Sequence, residues 1–253
     1  MRRIITKRLI AFVILCGIAI VLCTGFNTKL QVANVYFNKI DKKLPIYSVQ
    51  TDKQTVAISF DAAWGADKTS EIMSICEEYG VKATFFLVGF WVQDYPDVAK
   101  SIADRGFEIG LHSSTHPDMS KLSASQVELE LSKNVDIIET VCQVEPKLFR
   151  PPFGAYNNQL IDICKRMNIT PIQWSVDSLD WKNLGKENIL NRVLSKTKNG
   201  SIILMHNGTK DTANVLDEMI KKLKEKGFNF KPTSEFIYRE NYTIDHAGKQ
   251  IKN

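Results

Sequence analysis

From residue 55 onward, short apolar runs alternate with longer segments that have helical spacing. The runs predict seven strands: TVAISFDA, ATFFLVG, FEIGLHS, KLFRPPF, TPIQWSV, GSIILMH and FNFKPTSEFI. Between them, apolar side chains recur three and four residues apart, as in the helix that follows the capping box Ser123 to Gln126. Strands that are apolar along their whole length and alternate with helices predict parallel βαβ units, in a barrel or an open sheet.

The first 26 residues follow another pattern. Four basic residues, Arg2, Arg3, Lys7 and Arg8, precede an uncharged apolar run from 9 to 26. As a helix, this run is ~27 Å long, close to the thickness of a bilayer core, and the basic residues orient its N-terminus towards the cytoplasm. The run therefore predicts a single-pass transmembrane signal-anchor, with the following domain outside the cytoplasm. A cleaved signal peptide is the alternative.

The pattern divides the chain into a basic cytoplasmic segment (1–8), the transmembrane helix (9–26), a linker (27–51), one α/β domain (52–238) and a polar tail (239–253). We expect the polar tail to be frayed. The net charge is +5, much of it in the first eight residues, so nothing favours a nucleic-acid partner. Outside the anchor, Cys76, Cys142 and Cys164 are widely spaced on apolar helix positions, which predicts buried structural thiols.

Chemically active side chains occur where the predicted strands end. They are Asp61, His112, His116, Arg150, Asp177, Asp180 and His206. In parallel α/β folds the carboxyl ends of the strands meet at one rim, which carries the active site. Three of the four histidines of the chain fall at this rim. We therefore expect these side chains to form one site.

Several of these residues allow more than one interpretation. His112 and His116 are four residues apart, which on a helical turn brings side chains within ~5–6 Å and suits two ligands of one metal. Each could instead be an ordinary core or loop histidine. Trp64, Trp174 and Trp181 could be core residues, or, if exposed at the rim, platforms for a sugar face.

Read in order, these stretches resemble the polysaccharide deacetylase family (the NodB-homology domain, carbohydrate esterase family 4). HSSTHP from His112 is similar to its metal-binding His-x-x-x-His-Pro motif, RPPFG from Arg150 to its Arg-x-Pro-aromatic motif, and DSLDW from Asp177 to its Asp-x-x-Asp-Trp motif. ILMHN, ending at Asn207, is similar to its last motif. The resemblance covers about 52–238 and implies a distorted (β/α) barrel of the NodB type that de-N-acetylates amino sugars. With the anchor, the chain most resembles the sporulation-associated, PdaB-like branch, which implies a cell-wall or spore-cortex glycan as substrate.

The resemblance implies a role for each catalytic residue. Asp61 is the base that takes a proton from water, and Arg150 keeps Asp61 ionised. His206 is the acid that protonates the leaving amine, and Asp180 keeps it oriented and protonated. A divalent ion, zinc, cobalt or manganese, is expected to polarise the acetyl carbonyl and acidify the water.

The remaining implied roles concern the metal and the sugar. His112 and His116 are the implied metal ligands, the backbone N–H near Phe153 completes the oxyanion site, and Trp181 lines the sugar groove. The first motif departs from the family, because Ala62 replaces the aspartate that is the third metal ligand. We expect weakened metal binding. The alternative function is a degenerate, membrane-anchored glycan-binding or sporulation-signalling protein, although binding alone requires neither an acid nor a base.

Overall fold

The predicted apolar runs supply the strands of the central sheet of the protein, for which a computed structural model describes residues 42–253. The run FNFKPTSEFI is a strand only at Asn229–Phe230, and its second half is a short helix, Thr233–Phe236, that begins after Pro232. The strands are β1 (Ser48–Val49), β2 (Thr55–Ala62), β3 (Thr84–Leu87), β4 (Glu108–Leu111), β5 (Leu148–Phe149), β6 (Thr170–Pro171), β7 (Val176–Asp177), β8 (Ile202–His206), β9 (Asn229–Phe230), β10 (Tyr242–Ile244) and β11 (Lys249–Lys252). The central sheet has the order β6-β5-β4-β3-β2-β8-β7, and β9 pairs with the start of β2. All of these pairs are parallel, as the continuous apolar runs predict.

The sheet is a half-barrel, and the reason lies in the run TPIQWSV. We predicted one strand there, but the structure divides the run into β6 and β7, which lie at opposite edges of the sheet. Residues 172–175 cross the opening between those edges. There Gln173 donates its backbone N–H to Ile46, whose own N–H is donated to Pro171. The expected distorted barrel is therefore an open one, partly bridged by a segment from before β2.

Most of the helices cover the outer face of the sheet, whereas the last, short helix buries Phe236 on the inner side. The helices are α1 (Thr69–Glu78), α2 (Gly89–Asp94), α3 (Pro96–Asp104), α4 (Ala124–Cys142), α5 (Asn158–Arg166), α6 (Lys186–Lys196), α7 (Thr212–Glu225) and α8 (Thr233–Phe236). Short 3₁₀ turns occur at Met119–Lys121, Pro152–Gly154 and Asp180–Lys182. The predicted capping box of α4 is confirmed, since Ser123 accepts from the Gln126 N–H and Gln126 accepts from the Ser123 N–H.

Alternation along the strands separates two hydrophobic clusters. On β2, Ile58 and Phe60 pack in the larger cluster, towards the helices, whereas Ala57 belongs to a smaller cluster inside the half-barrel. Because side chains alternate with a period of two, Ser59 and Asp61 share the inner face with Ala57. Asp61 therefore lies at the carboxyl end of the inner face.

The tail and the end of the linker are parts of the fold. The tail, which we expected to be frayed, forms β10 and β11, and β11 pairs in parallel with β1. Ile46 and Val49, from the predicted linker, are buried with Phe236 and Ile237 in the smaller cluster. Backbone hydrogen bonds between strands order this polar sequence, and a pattern of apolar residues does not reveal such bonds.

The predicted basic segment (1–8) and transmembrane helix (9–26) lie outside the described residues. Within 42–253, no helix combines the length and the apolar character that a membrane crossing requires.

Candidate active site

The parallel register of β2 and β8 places Asp61 directly beside His206. Asp61 is the penultimate residue of β2 and His206 is the last residue of β8, and both side chains line a cleft at the carboxyl edge of the sheet. The cleft has a volume of about 650 Å³ and is open to solvent. Strand-end positions thus bring the two predicted proton-transfer residues into one cleft.

Asp61 is held by a buried ion pair with Arg150. The Arg150 guanidinium donates from Nη1 to Asp61 Oδ1 at 2.8 Å and from Nη2 to the Gln173 carbonyl at 3.1 Å. It also lies over the ring of Phe86, 4.2 Å from the ring centroid. Burial opposes ionisation of Asp61, but the charge of Arg150, followed by the nearby imidazoles, outweighs it and lowers the pKa of the carboxyl. Asp61 is therefore a carboxylate throughout the neutral range.

The two histidines of HSSTHP face the same carboxylate. His112 Nδ1 contacts the Arg150 carbonyl at 2.6 Å, which leaves Nε2 directed towards Asp61 Oδ2 at 3.6 Å. The His116 ring lies edge-on to the His112 ring, with centroids 4.9 Å apart. Burial is the main reason that both pKa values are lowered, that of His116 to about 4. Both imidazoles are therefore neutral near pH 7, the form in which histidine binds a metal.

On the other side of the cleft, Asp180 orients His206. Asp180 Oδ1 contacts His206 Nδ1 at 2.7 Å, and Oδ2 accepts from the His206 backbone N–H at 2.7 Å and from Thr212 Oγ1 at 2.6 Å. Burial disfavours protonation of His206, but the hydrogen bond and charge of Asp180 outweigh it and raise the pKa above the ordinary 6.5. The pair presents His206 Nε2 as a proton donor.

Exposed aromatic side chains border the cleft. Phe153 is 69% exposed, Trp64 65% and Trp181 53%. Phe153 lies 4.7 Å from His116 between ring centroids. Trp174 also lines the cleft but is less exposed. Exposed rings that converge on one cleft form a larger apolar surface than single scattered residues do, which is typical of a binding site.

The loops at the strand ends carry unusual backbone conformations. Positive φ angles at non-glycine residues occur at Ser113 (68°), His116 (57°), Phe153 (60°), Leu179 (56°) and Asn183 (51°). Each costs of order ~1–3 kcal/mol and persists where neighbouring contacts impose it. Asp177 imposes one of them, because its Oδ1 accepts from the Leu179 N–H at 2.9 Å. The strain is concentrated in the loops that aim the site residues.

Sequence reasoning missed the residues that support the predicted ones. From α4, Glu130 accepts from the backbone N–H groups of Ser114 (2.9 Å) and Thr115 (2.8 Å). One turn later, Asn134 accepts from the His112 N–H at 3.0 Å. The i, i+4 spacing of Glu130 and Asn134 places both on one face of α4, which was a signal in the sequence. Thr212 left no such signal, because one threonine at a helix start is ordinary.

A three-ligand metal site does not fit the residues present. No group of three or more His, Cys, Asp or Glu residues within 42–253 is placed to hold a metal ion. Ala62 is fully buried and packs in the larger apolar cluster, so it offers no ligand. Asp67, the nearest acid downstream, is exposed. His112 and His116 alone are an incomplete set.

Comparison with known proteins identifies relatives over the same region. Residues 48–172 match the family model described as polysaccharide deacetylase. The uncharacterized protein YlxY of Bacillus subtilis (strain 168) is 40% identical over 193 residues, which are 76% of this chain and 60% of YlxY. A peptidoglycan-N-acetylglucosamine deacetylase of Bacillus cereus is 32% identical over 198 residues, 77% of this chain and 72% of that protein.

Solved structures give the same fold. The crystal structure of wild-type BA3943 from Bacillus anthracis, described as a CE4 family pseudoenzyme, aligns with a TM-score of 0.75 and 34% identity, covering 83% of this chain and 73% of that one. A BA3943 mutant, described as having restored enzymatic activity, aligns with a TM-score of 0.74 and 38% identity, covering 76% of this chain and 70% of that one.

Proposed function

The chain belongs to the polysaccharide deacetylase family, and from this premise we propose that it hydrolyses the acetamide C–N bond of N-acetylated amino sugars in peptidoglycan. One observation carries the proposal. The buried pair Arg150–Asp61 and the partly buried pair Asp180–His206 hold a carboxylate and a protonatable imidazole side by side in one cleft. The pKa of Asp61 is lowered and that of His206 is raised, which suits Asp61 as the base and His206 as the acid.

Asp61 is the base in this mechanism. It accepts a proton from the water whose oxygen bonds to the acetyl carbon. The Arg150 pair keeps Asp61 ionised and fixes its Oδ1, so that Oδ2, towards which His112 is directed, is the oxygen that meets the water. Loss of the Asp61 charge would leave Arg150 buried without its partner.

His206 is the acid that completes the reaction. When the tetrahedral intermediate collapses, the C–N bond breaks and His206 Nε2 donates its proton to the departing nitrogen, giving acetate and a free amine. Asp180 orients the ring and stabilises its protonated form. The backbone at Phe153 is the proposed oxyanion contact, and Trp181 is a proposed sugar contact at the border of the cleft.

Deacetylases of this family are generally metal-dependent, but this chain departs from their ligand set. His112 and His116 would be the protein ligands of zinc, cobalt or manganese, and such an ion supplies a Lewis acid when bound. Two neutral imidazoles predict weak, readily reversed binding. The proton transfers assigned to Asp61 and His206 are argued from the contacts of these two residues with Arg150 and Asp180.

A second candidate function is glycan binding without catalysis. Ala62 favours it, since the missing carboxylate removes a ligand, and wild-type BA3943, a similar structure, is described as a pseudoenzyme. The retained Asp61–Arg150 and Asp180–His206 pairs favour hydrolysis, because binding alone does not require them. The chain spans 60% of the length of YlxY, so this proposal concerns the activity of the domain within 42–253.

The proposed setting is the outer side of the cytoplasmic membrane. Its support is the uncharged run 9–26 and the four basic residues before it, which predict a single-pass anchor. Peptidoglycan lies on that side of the membrane, where the domain would meet it. The resemblance to the PdaB-like branch supports a role in sporulation, on a cell-wall or spore-cortex glycan.

Acetate release from N-acetylated peptidoglycan by the full-length chain tests the proposal. We would measure it as purified, after chelation, and after zinc, cobalt or manganese is added back. The expected result is slow release that Asp61→Asn and His206→Ala abolish while circular dichroism shows both variants folded. Glycan binding without release under any condition would favour the second function instead.

A further inference from the structure

Trp64 is a large apolar side chain that the fold leaves in solvent. It is 65% exposed and follows β2, in the loop directly after Asp61 and Ala62. It lines the same cleft as Asp61 and His206. Nothing in the proposed chemistry requires a tryptophan at this position, so its exposure calls for another explanation.

The loop that carries Trp64 is held firmly, although the ring itself is exposed. The Gly65 carbonyl accepts from the Trp91 indole N–H at 2.8 Å and from Asn207 Nδ2 at 3.1 Å. The Trp64 carbonyl packs so closely on Gly208 that a Cβ there would lie 1.9 Å from its oxygen. Only glycine permits that approach. The segment after His206 therefore fixes the position from which the indole extends.

The Trp64 ring contacts the ring of His116. Its centroid lies 4.9 Å from that of His116 at an interplanar angle of 70°, and His116 has Phe153 on another side at 4.7 Å. This edge contact leaves two thirds of the side chain exposed. A tryptophan that served only to cover His116 would be expected to bury most of its own surface.

We infer that Trp64 is a sugar-stacking platform, which positions an N-acetylated glycan chain beside the acid–base pair. The inference rests on the proposed function for the class of ligand. The apolar face of a pyranose ring packs on an exposed indole, and a ring with two torsions on a fixed loop loses little entropy when it binds. With Phe153 and Trp181, Trp64 gives the cleft three exposed rings, on loops after β2, β5 and β7. This arrangement suits a polymer better than a single sugar.

Calorimetric titration of the full-length chain with a β-1,4-linked N-acetylglucosamine tetramer tests the platform. We expect Trp64→Ala to weaken binding about tenfold and Trp64→Phe to stay within about threefold of the wild type, since one aromatic contact contributes on the order of 1 kcal/mol. The control is Leu129→Ala, which removes an exposed apolar side chain from α4, away from the residues that line the cleft. Wherever acetate release is measurable, Trp64→Ala should raise KM and leave kcat within about twofold.

Each other outcome of the titration overturns the platform role. These outcomes are wild-type affinity in Trp64→Ala, equal losses in Trp64→Phe and Trp64→Ala with a lowered Tm, and no tetramer binding by the wild type. Acetate release is scored separately. Binding that depends on Trp64 without any acetate release would remove the proposed hydrolysis and keep the platform. Acetate release with a KM unchanged by Trp64→Ala would support the proposed hydrolysis and remove the platform role.

Discussion

The protonation of His206 depends mainly on the neighbouring Asp180 carboxylate, which makes the pH dependence of the site testable. The Asp180 hydrogen bond outweighs burial and raises the pKa of His206 above 6.5, whereas the pKa of Asp61 is lowered below 3.8. The acid form of His206 is lost as pH rises through its raised pKa. Asp61 loses its base form only as pH falls through its lowered pKa. The deacetylation rate should therefore be highest between these two pKa values, and it should fall on the alkaline side at a pH above 6.5.

Asp180→Asn should move that alkaline limb to lower pH, because the charge that stabilises the imidazolium is removed. The measurement is the pH profile of kcat/KM for the wild type and the variant. Asp162→Asn is the control, since Asp162 forms an exposed ion pair with Lys43 and should leave the profile unchanged. An alkaline limb that stays in place in a folded Asp180→Asn protein would show that Asp180 does not set the His206 pKa.

The missing metal ligand can be restored by one substitution. Ala62→Asp returns the carboxylate that the family has beside Asp61. It should tighten zinc binding at least ~10–100-fold, because mutation of residues that only hydrogen-bond to a metal ligand already weakens binding by that factor. Acetate release should rise with zinc occupancy. Zinc calorimetry and the release assay measure the two effects. Ala66→Asp adds the same charge four residues further along the loop and should change neither. Unchanged zinc affinity in Ala62→Asp would show that a carboxylate at this buried position does not reach His112 and His116.

At the scale of single residues, the sequence predicts those that end strands and little of what supports them. Asp61 and His206 could be placed together because carboxyl ends of parallel strands meet at one rim. Thr212 could not be predicted, because its hydroxyl reaches Asp180 only after α7 has docked on the sheet. The same limit applies to the ring of Trp64, whose exposure depends on the close approach of Gly208.

Among the elements, α4 supports the loop that carries His112 and His116. Glu130 binds two successive N–H groups of that loop, so Glu130→Ala should let the loop shift and lower kcat/KM about tenfold, with a smaller effect on Tm. The matched control is Glu128→Ala on the same helix, where the carboxylate forms an exposed ion pair with Arg166. Steady-state kinetics and thermal unfolding of both variants measure the difference. Equal effects of the two substitutions would exclude a positioning role for Glu130.

Elements with a strong local signal were predicted, and those defined by distant partners were not. The capping box of α4 is a local feature of four residues, and the structure confirms it. The division of TPIQWSV into β6 and β7 depends on which strands lie beside each half, and an apolar run carries no such information. The polar β11 is likewise ordered by backbone bonds to β1, far away in the sequence.

For the whole molecule, the two ends of the described chain close the fold at the opposite end of β2 from Asp61. Buried Gln250 accepts from the Tyr238 N–H at 2.8 Å and donates to the Tyr238 carbonyl at 2.6 Å. Gln250→Ala leaves both groups unpaired and should lower the free energy of unfolding by about 1–3 kcal/mol, measured by urea denaturation. Gln159→Ala, at an exposed position of α5, should cost much less. Because Asp61 lies near the end of β2 whereas this closure lies near its start, kcat below the unfolding transition should be unchanged. A large loss of kcat in folded Gln250→Ala would instead show that the closure also shapes the cleft.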